Sequence, residues 1–478
     1  MLPLRNPDMS KPRSILFWLI AVLLPAAFLT SCRMHDKIDS TPGRELAFST
    51  DTVFFDTVFP SVGSITQRLI VYNRNTSKVK VSSIRLAGGS TSNYSLNING
   101  TAAASVSNVE IPGKDSLFIF VRVTVDPQNL STPFVVSDSI QFLTNGTSQQ
   151  VKLVAWGRDA IFYREKSLSG NITWDSLKAH VIYGSLRIDT NSTLTVMPGA
   201  RIYFHKDASM YLSYGSTLKI PGTRDHPVRF QGDRLDPYYK DLPGQWGGIY
   251  LEKGSRDHVI NYAVIRNGYF GLALDSTGTS GAPMLDISNT IIRNMAGYGI
   301  YAWGSAIRSV NCVIGDCGQR CLDLTYGGDY EFKHLTVGNY WSASVRNGPS
   351  IALSNYGYDT LGNKVANPLV RADFINTIIY GVNDGEIGLD SVAGTPFECL
   401  FDHAILKTRL STTNPQRYIN CLVNKDPLFV DPSVLNYSID TLSPAIGAGK
   451  EAGIPFDING NQRGNPPALG AYEFVPGR

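Results

Sequence analysis

The chain has 478 residues, with 43 Lys and Arg against 40 Asp and Glu, and only 17% of it is charged. That near-neutral balance excludes the basic footprint by which proteins hold nucleic acid. The length exceeds one ordinary core and implies two or three domains unless a solenoid grows in one dimension, while 44 Gly and 23 Tyr suit an extracytoplasmic β-rich protein.

At the start of the chain, Arg5, Lys11 and Arg13 precede an uncharged run from Ile15 to Leu29, which leads into Leu-Thr-Ser-Cys at 29–32. The run is as long as a signal-peptide apolar region and shorter than the ~20 residues needed to cross a bilayer. Leu-Thr-Ser-Cys resembles a bacterial lipobox. The resemblance implies that residues 1–31 are a lipoprotein signal peptide, that Cys32 carries lipid, and that the protein is anchored in the outer membrane, on its periplasmic or its cell-surface side. Residues 32–44 are polar and patternless and read as a tether.

Between 45 and 160 the chain consists of short alternating runs, among them "QRLIVYN", "KVKVSSIRL", "DSLFIFVRVTV" and "QQVKLVAWG", separated by Asn, Gly and Pro. Strands of this length and spacing predict a β-sandwich. The phrases "FDTVFPSVGSITQRLIVYNRN", "NVEIPGKDSLFIFVRVTVDP" and "DSIQFLTNGTSQQVKLVAWGRDA" resemble immunoglobulin-like modules of flagellar and surface proteins. The Cys-Trp-Cys signature of antibody domains is absent, so the resemblance extends to architecture alone.

From 161 to 430 the pattern becomes repetitive. "TLTVMPGARIYF" is restated as "TLKIPGTRDHPVRF", and seven phrases end on Ile265, Ile292, Ile314, Val337, Ile379, Ile405 and Val423. A period in the twenties is the mark of a solenoid. Three residues before these markers stand Asn289, Asn311, Asn376 and Asn420, with Tyr262, His334 and Asp402 as departures. In a parallel β-helix, coils stack about 4.8 Å apart, so an Asn at one corner lies over the Asn of the next coil and the polar groups there can pair. Cys312, Cys317, Cys321, Cys399 and Cys421 read as core thiols rather than a zinc clip, which requires closer pairs and a fourth ligand.

The last stretch contains "DPLFVDP", "SPAIGAG", "DINGNQRG" and "GAYEF" in that order. With the repeats it resembles a Bacteroidetes-type envelope lipoprotein carrying a right-handed parallel β-helix, and it implies that 431–478 cap the solenoid. The fold class expected is all-β, an immunoglobulin-like β-sandwich followed by a right-handed parallel β-helix.

No metalloprotease, nucleophile-elbow or phosphate-loop motif occurs, and G-x-G-x-x-A matches at Gly297 and Gly447 open no helix. On a β-helix, a lyase needs a base and a glycosidase needs two carboxylates. The densest polar set, Arg320, Asp323, Asp329 and Lys333, is the candidate for either, against a plain reading in which Asp323 faces solvent and Asp329 holds a turn. Tyr238, Tyr239 and Trp246 lie in one long stretch and offer flat rings for a sugar face. No cofactor is expected; "DINGN" (457–461) has the oxygen content of a Ca²⁺ loop but lacks its spacing, and reads as a cap turn. The expectation is a non-catalytic protein binding polysaccharide or an envelope protein, attached to the membrane through its lipid; the alternative is a polysaccharide lyase or glycoside hydrolase.

Overall fold

The computed structural model describes residues 37–58, 64, 66–124, 134–157, 160–235, 239, 241–275 and 283–476. The signal segment, Cys32 and Tyr238 lie outside the described residues. The chain divides after Gly157 into two compact units.

The first unit is a two-sheet β-sandwich. One sheet runs in the order Ile38–Asp39, Lys78–Leu86, Phe134–Thr144, Thr147–Gly157, Thr52–Val58, with Ser105–Ile111 also paired to Lys78–Leu86; the other runs Ala47–Phe48, Gln67–Tyr72, Ser116–Val123, Tyr94–Ile98, Thr101–Ala102. Alternation builds it: along Ser116–Val123, Leu117, Ile119, Val121 and Val123 point into a core with Leu69, Val81, Ile140 and Leu153, while Phe118 and Phe120 face out. The long hairpin Phe134–Gly157 turns on Asn145 and Gly146, both at positive φ (47° and 83°), as a two-residue turn with the strands' own twist requires. The sandwich starts earlier than the tether reading allows. Ile38 and Asp39 pair with Lys78 and Val79, and the Asn145 amide donates to the Asp39 and Thr41 carbonyls.

The second unit is a parallel β-helix whose coils are built on three faces. Face 1 stacks Arg201–Phe204, Val228–Gly232, Ala263–Arg266, Ile291–Met295, Val313–Cys317 and Thr336–Asn339, then the later parts of Leu369–Gly381 and Leu400–Leu406, and Leu422–Val423. Face 2 stacks Ser209–Leu212, Gly248–Leu251, Phe270–Leu274, the first halves of Tyr298–Val310 and Arg320–Lys333, Ile351–Ser354 and Ile387–Asp390. Face 3 holds Thr217–Pro221, His258–Asn261, Leu285–Ser288 and the remaining halves. Among the described residues there is no α-helix.

The observed register joins Ile202, Phe230, Ile265, Ile292, Ile314, Val337, Ile379, Leu406 and Val423. Leu406 replaces the expected Ile405, so the corner residue in that coil is His403 and not Asp402. The backbone shows why. Tyr262, Asn289, Asn311, His334, Asn376, His403 and Asn420 all have φ between 47° and 53°, whereas Asp402 still pairs with Ile375 in the preceding strand. Asn is among the few L-residues that enter this left-handed region at low cost.

The corner side chains are bonded along the stack. Asn289 Nδ2 donates to Asn261 Oδ1 (2.9 Å), and Asn311 Nδ2 to Asn289 Oδ1 (3.1 Å). Asn376 Nδ2 meets His334 Nε2 (3.1 Å), and Asn420 Nδ2 meets His403 Nε2 (3.2 Å). Asn311, His334 and Asn376 are buried and Asn289 is half-buried, but Asn420 is exposed. A second stack, which the sequence reading passed over, holds Asn267, Asn294 and Asp316 at the exit of the same face, again at positive φ; Asn294 Nδ2 donates to Asn267 Oδ1 (2.9 Å).

The C-terminal segment differs from the expected end cap: it lies along the side of face 1. Ile291, Val313, Thr336, Ile378, Ile405 and Leu422 form an outward row in register, and this row packs with Phe429, Tyr437, Ile439, Ala445, Ile458, Leu469 and Ala471 of the tail. At the same register position in earlier coils stand Arg201 and Arg229. The paired aliphatics of "TII" and "AIL" are therefore one residue for the solenoid core and one for the tail. The tail also closes the corner ladder. Arg463 donates to Asn311 Oδ1 (2.7 Å), Lys450 N to Asn376 Oδ1 (2.9 Å), and Asn376 Nδ2 to the Lys450 carbonyl (2.7 Å).

Replacing Asn376 with Leu orphans the Lys450 backbone groups and places a Cβ-branching-free but bulky apolar chain in the left-handed corner. The expected loss is about 1–3 kcal/mol per unpaired group, read as a lowered melting temperature, with the same change at exposed Asn420 costing far less. A second outcome concerns pH. Burial pushes the rings of His180, His258 and His334 down, to about 4, 3 and 3, from the ordinary 6.5. A folded-state pKa below the unfolded one gives stability that is fully present above 6.5 and lost as pH falls toward the folded values. His334→Asn, which keeps the ladder's usual residue, is expected to make the fall in melting temperature between pH 6.5 and pH 4 shallower than in the parent chain.

Candidate functional site

The four polar candidates do not converge. Arg320 and Asp323 lie on face 2 and Asp329 and Lys333 on face 3. Between them the strand turns through Tyr326, Gly327 and Gly328, all at positive φ (65°, 63° and 127°). Asp323 does not face solvent either: it is 3% exposed, held by Arg320 Nη1 (2.6 Å) and Thr325 Oγ1 (2.5 Å). On face 3, Asp329 takes Arg308 (3.0 Å) and Arg371 (2.8 Å) from the coils on either side, and Lys333 takes Glu331 (3.4 Å) within its own strand. Partial burial pushes the Asp329 carboxyl up, but the hydrogen bonds from Arg371 and Arg308 outweigh it and leave it below its usual range.

The aromatic candidates also separate. Trp246 is 1% exposed, stacked on Phe204 at 4.1 Å and 9°, and its indole N–H donates to the Arg266 carbonyl (2.9 Å). It is a core residue and cannot meet a sugar; its position after a long loop made it look accessible, but the following Gly-Gly lets it turn in. Tyr239 is half-buried with the Arg234 guanidinium 3.1 Å above its ring. Asp457 of the "DINGN" turn accepts from the Asn459, Asn461 and Glu473 backbone N–H groups and from the Asn461 side chain. Its oxygens serve the turn, and among the described residues no cluster of three or more His, Cys, Asp or Glu is arranged to hold a metal. The cysteines 312, 317, 321 and 399 are buried free thiols, and Cys421 is half-buried.

The most developed surface is one that the sequence reading missed: the outside of face 2. Register places Arg187, Tyr211, Tyr250, Ala273, Tyr301 and Asp323 in one outward column. Tyr211 and Tyr250 stack at 4.9 Å and 14°. Beside them Phe270 and Tyr298 stack at 5.4 Å and 8°, and both meet Tyr301 edge-on. Trp303 stacks on Tyr326 at 4.9 Å. Coils 4.8 Å apart put successive rings near their preferred separation.

Over Ala273 this surface opens into a cavity of about 460 Å³ walled by Tyr250, Phe270, Tyr301 and Trp303, with Glu252 and exposed Asp275 on its rim. Glu252 is paired to Arg187 at 2.5 Å. Burial, then the charge of Asp323, pushes the Tyr301 phenol up to about 12, so it stays a neutral donor. The signal in the sequence was the repeat "GIYLE", "GLALD", "GIYAW" at 248, 271 and 299.

Residues 238–337 match the family model of the right-handed β-helix region, which covers the coils bearing this cavity. No curated protein matches the chain. Among solved structures, the catalytic unit of a GH87 α-1,3-glucanase from Streptomyces thermodiastaticus is similar at 14% identity and TM-score 0.27, over 71% of this chain and 72% of that one. A family 123 glycoside hydrolase from Clostridium perfringens is similar at 10% identity and TM-score 0.19, over 27% of this chain and 30% of that one. The E. coli chaperone DraB follows at 10% identity and TM-score 0.18, over 26% and 58%. This chain thus spans 30% of the length of that hydrolase and 58% of that chaperone.

Trp246→Ala is expected to remove about 3–5 kcal/mol of stability, as buried aromatic truncations do, and to leave any saccharide binding of the folded fraction intact. Denaturant unfolding alongside a binding titration separates the two effects.

Proposed function

We propose that the chain is a lipid-anchored outer-membrane protein of Bacteroidetes type, with an immunoglobulin-like module preceding its β-helix in sequence, and that the β-helix binds a glycan without cleaving it. The observation that carries the reading is the aromatic outer surface of face 2. Rings at successive coils form a rigid apolar platform, and flat side chains on a fixed scaffold stack on sugar faces at little entropic cost. The non-catalytic part rests on Asp323: the buried carboxylate of that face is committed to Arg320 and Thr325 and holds no position for acid or base work. Anchoring rests on Leu-Thr-Ser-Cys and Cys32 alone.

One arrangement favours the alternative, a glycoside hydrolase. Glu252 and Asp275 both line the cavity, so two carboxylates border one groove, as glycosidic cleavage requires.

A glycan array followed by product analysis decides between them. The expected outcome is binding that falls at least tenfold in Tyr301→Ala and in Trp303→Ala, no new reducing ends, and a Cys32→Ala variant that leaves the membrane fraction. A blank array overturns the binding reading. Products that disappear in Asp275→Asn establish the hydrolase.

A further inference from the structure

The Ala273 cavity has a specific shape and charge. In a column where neighbouring coils supply Tyr211, Tyr250 and Tyr301, position 273 supplies a methyl group. Tyr250 and Tyr301 are two coils apart, about 10 Å at the usual strand spacing, and the missing ring leaves an opening there, walled on one side by Phe270, which meets both edge-on at 5.7 and 6.1 Å. Phe270 and Trp303 flank it. Among the described residues its lining contains two carboxylates, Glu252 and Asp275, and no basic residue; Arg187, which pairs with Glu252 and stands 5.0 Å over the ring of lining Tyr211, is itself outside the lining. Asp275 is exposed at the end of the strand Phe270–Leu274, in the register row between Glu252 and Trp303.

Aromatic walls with acids at the rim attract a cation twice, through the negative faces of the rings and through the carboxylates. A neutral sugar would use the rings alone. A uronate would meet the like charge of Asp275, since Glu252 is already paired to Arg187.

We propose that this slot is a subsite for a protonated amine carried on a flat, apolar-faced frame, namely the free amino group of a hexosamine unit in a glycan chain. The assignment rests on the saccharide-binding reading above and narrows it. The ring of the amino sugar lies over Ala273 against Tyr301, Trp303 and the Phe270 edge, its ammonium group meets Asp275, and the rest of the chain follows the aromatic surface along the solenoid axis.

The test is calorimetric titration of the full chain in detergent with three tetrasaccharides: a β-1,4-linked glucosamine tetramer, its fully N-acetylated counterpart and a galacturonate tetramer. The expected order is the free amine about tenfold or more tighter than the acetylated form, with the uronate weakest, and the advantage of the amine shrinking as salt rises. Asp275→Asn, a near-isosteric change at an exposed position, should erase the difference between amine and acetylated form. Ala273→Tyr, which completes the column of rings, should abolish the amine preference while the melting temperature is kept.

Equal binding of the amine and acetylated tetramers overturns the subsite and leaves the saccharide reading standing. An amine preference that survives Asp275→Asn also overturns it. Binding of choline with no binding of the glucosamine tetramer overturns the sugar assignment in favour of a quaternary ammonium ligand. Failure of all three tetramers together with a blank array overturns both readings.

Discussion

The solenoid depends on one backbone constraint, a left-handed residue at the same corner of seven coils. Tyr262, Asn289, Asn311, His334, Asn376, His403 and Asn420 each reverse the chain from face 3 into face 1 at φ near 50°. A corner of fixed geometry fixes the phase of the strand after it, and in a strand a slip of one residue exchanges core and surface. The backbone sets this requirement and the side chains then answer it. Asn tolerates the conformation and brings both a donor and an acceptor, so a stack of such corners satisfies itself along the axis. His334 fits the same place because its buried neutral ring offers one donor and one acceptor, meeting the Gly470 carbonyl on one side and Asn376 on the other.

From that corner onward, the three faces carry different loads. Face 1 is apolar on both sides in its later coils because the tail covers it. The outward row of Ile291, Val313, Ile378, Ile405 and Leu422 gains roughly 1.5–3 kcal/mol per fully buried side chain, and the tail's own groups, Arg463 and Lys450, take the remaining bonding capacity of the ladder. Tyr437 reaches further and donates to Asp316, whose carboxyl is pushed up to about 6 chiefly by burial. Face 3 is polar outside, with Arg308 and Arg371 pairing to Asp329 and Glu331 of the coil between them and Lys333 pairing to Glu331 within its strand. Pairs this exposed contribute little individually; they keep a long sheet surface charged and single. Face 2 differs in that its outer column over the middle coils is built mainly of rings, Tyr211, Tyr250 and Tyr301, with ion pairs Arg187–Glu252 and Arg320–Asp323 at its edges.

The same logic explains why four adjacent polar residues in sequence made a poor site. Arg320 to Lys333 spans a corner, so Asp323 and Asp329, six positions apart, belong to different surfaces. Residues far apart in sequence, Tyr211, Tyr250 and Tyr301, belong to one. In a stacked coil, nearness is measured in whole turns, and the turns of this chain are unequal.

The sequence by itself determined what is local and repeated. Alternation gave the sandwich strands, and the marker aliphatics with their Asn residues gave the β-helix and its period, because each rests on a φ preference or on side-chain parity that a few residues carry. Only the tertiary structure decided the rest. Loop length between strands sets which residues share a column: 39 positions separate Tyr211 from Tyr250 but 22 separate Tyr301 from Asp323, and nothing in either stretch announces that difference. The one-residue slip that makes His403 the corner, the inward turn of Trp246, the sideways path of the tail and the slot over Ala273 all follow from which coil lies above which. Stacking is a long-range contact, settled by the packing of the whole solenoid rather than by the residues on either side of a bond.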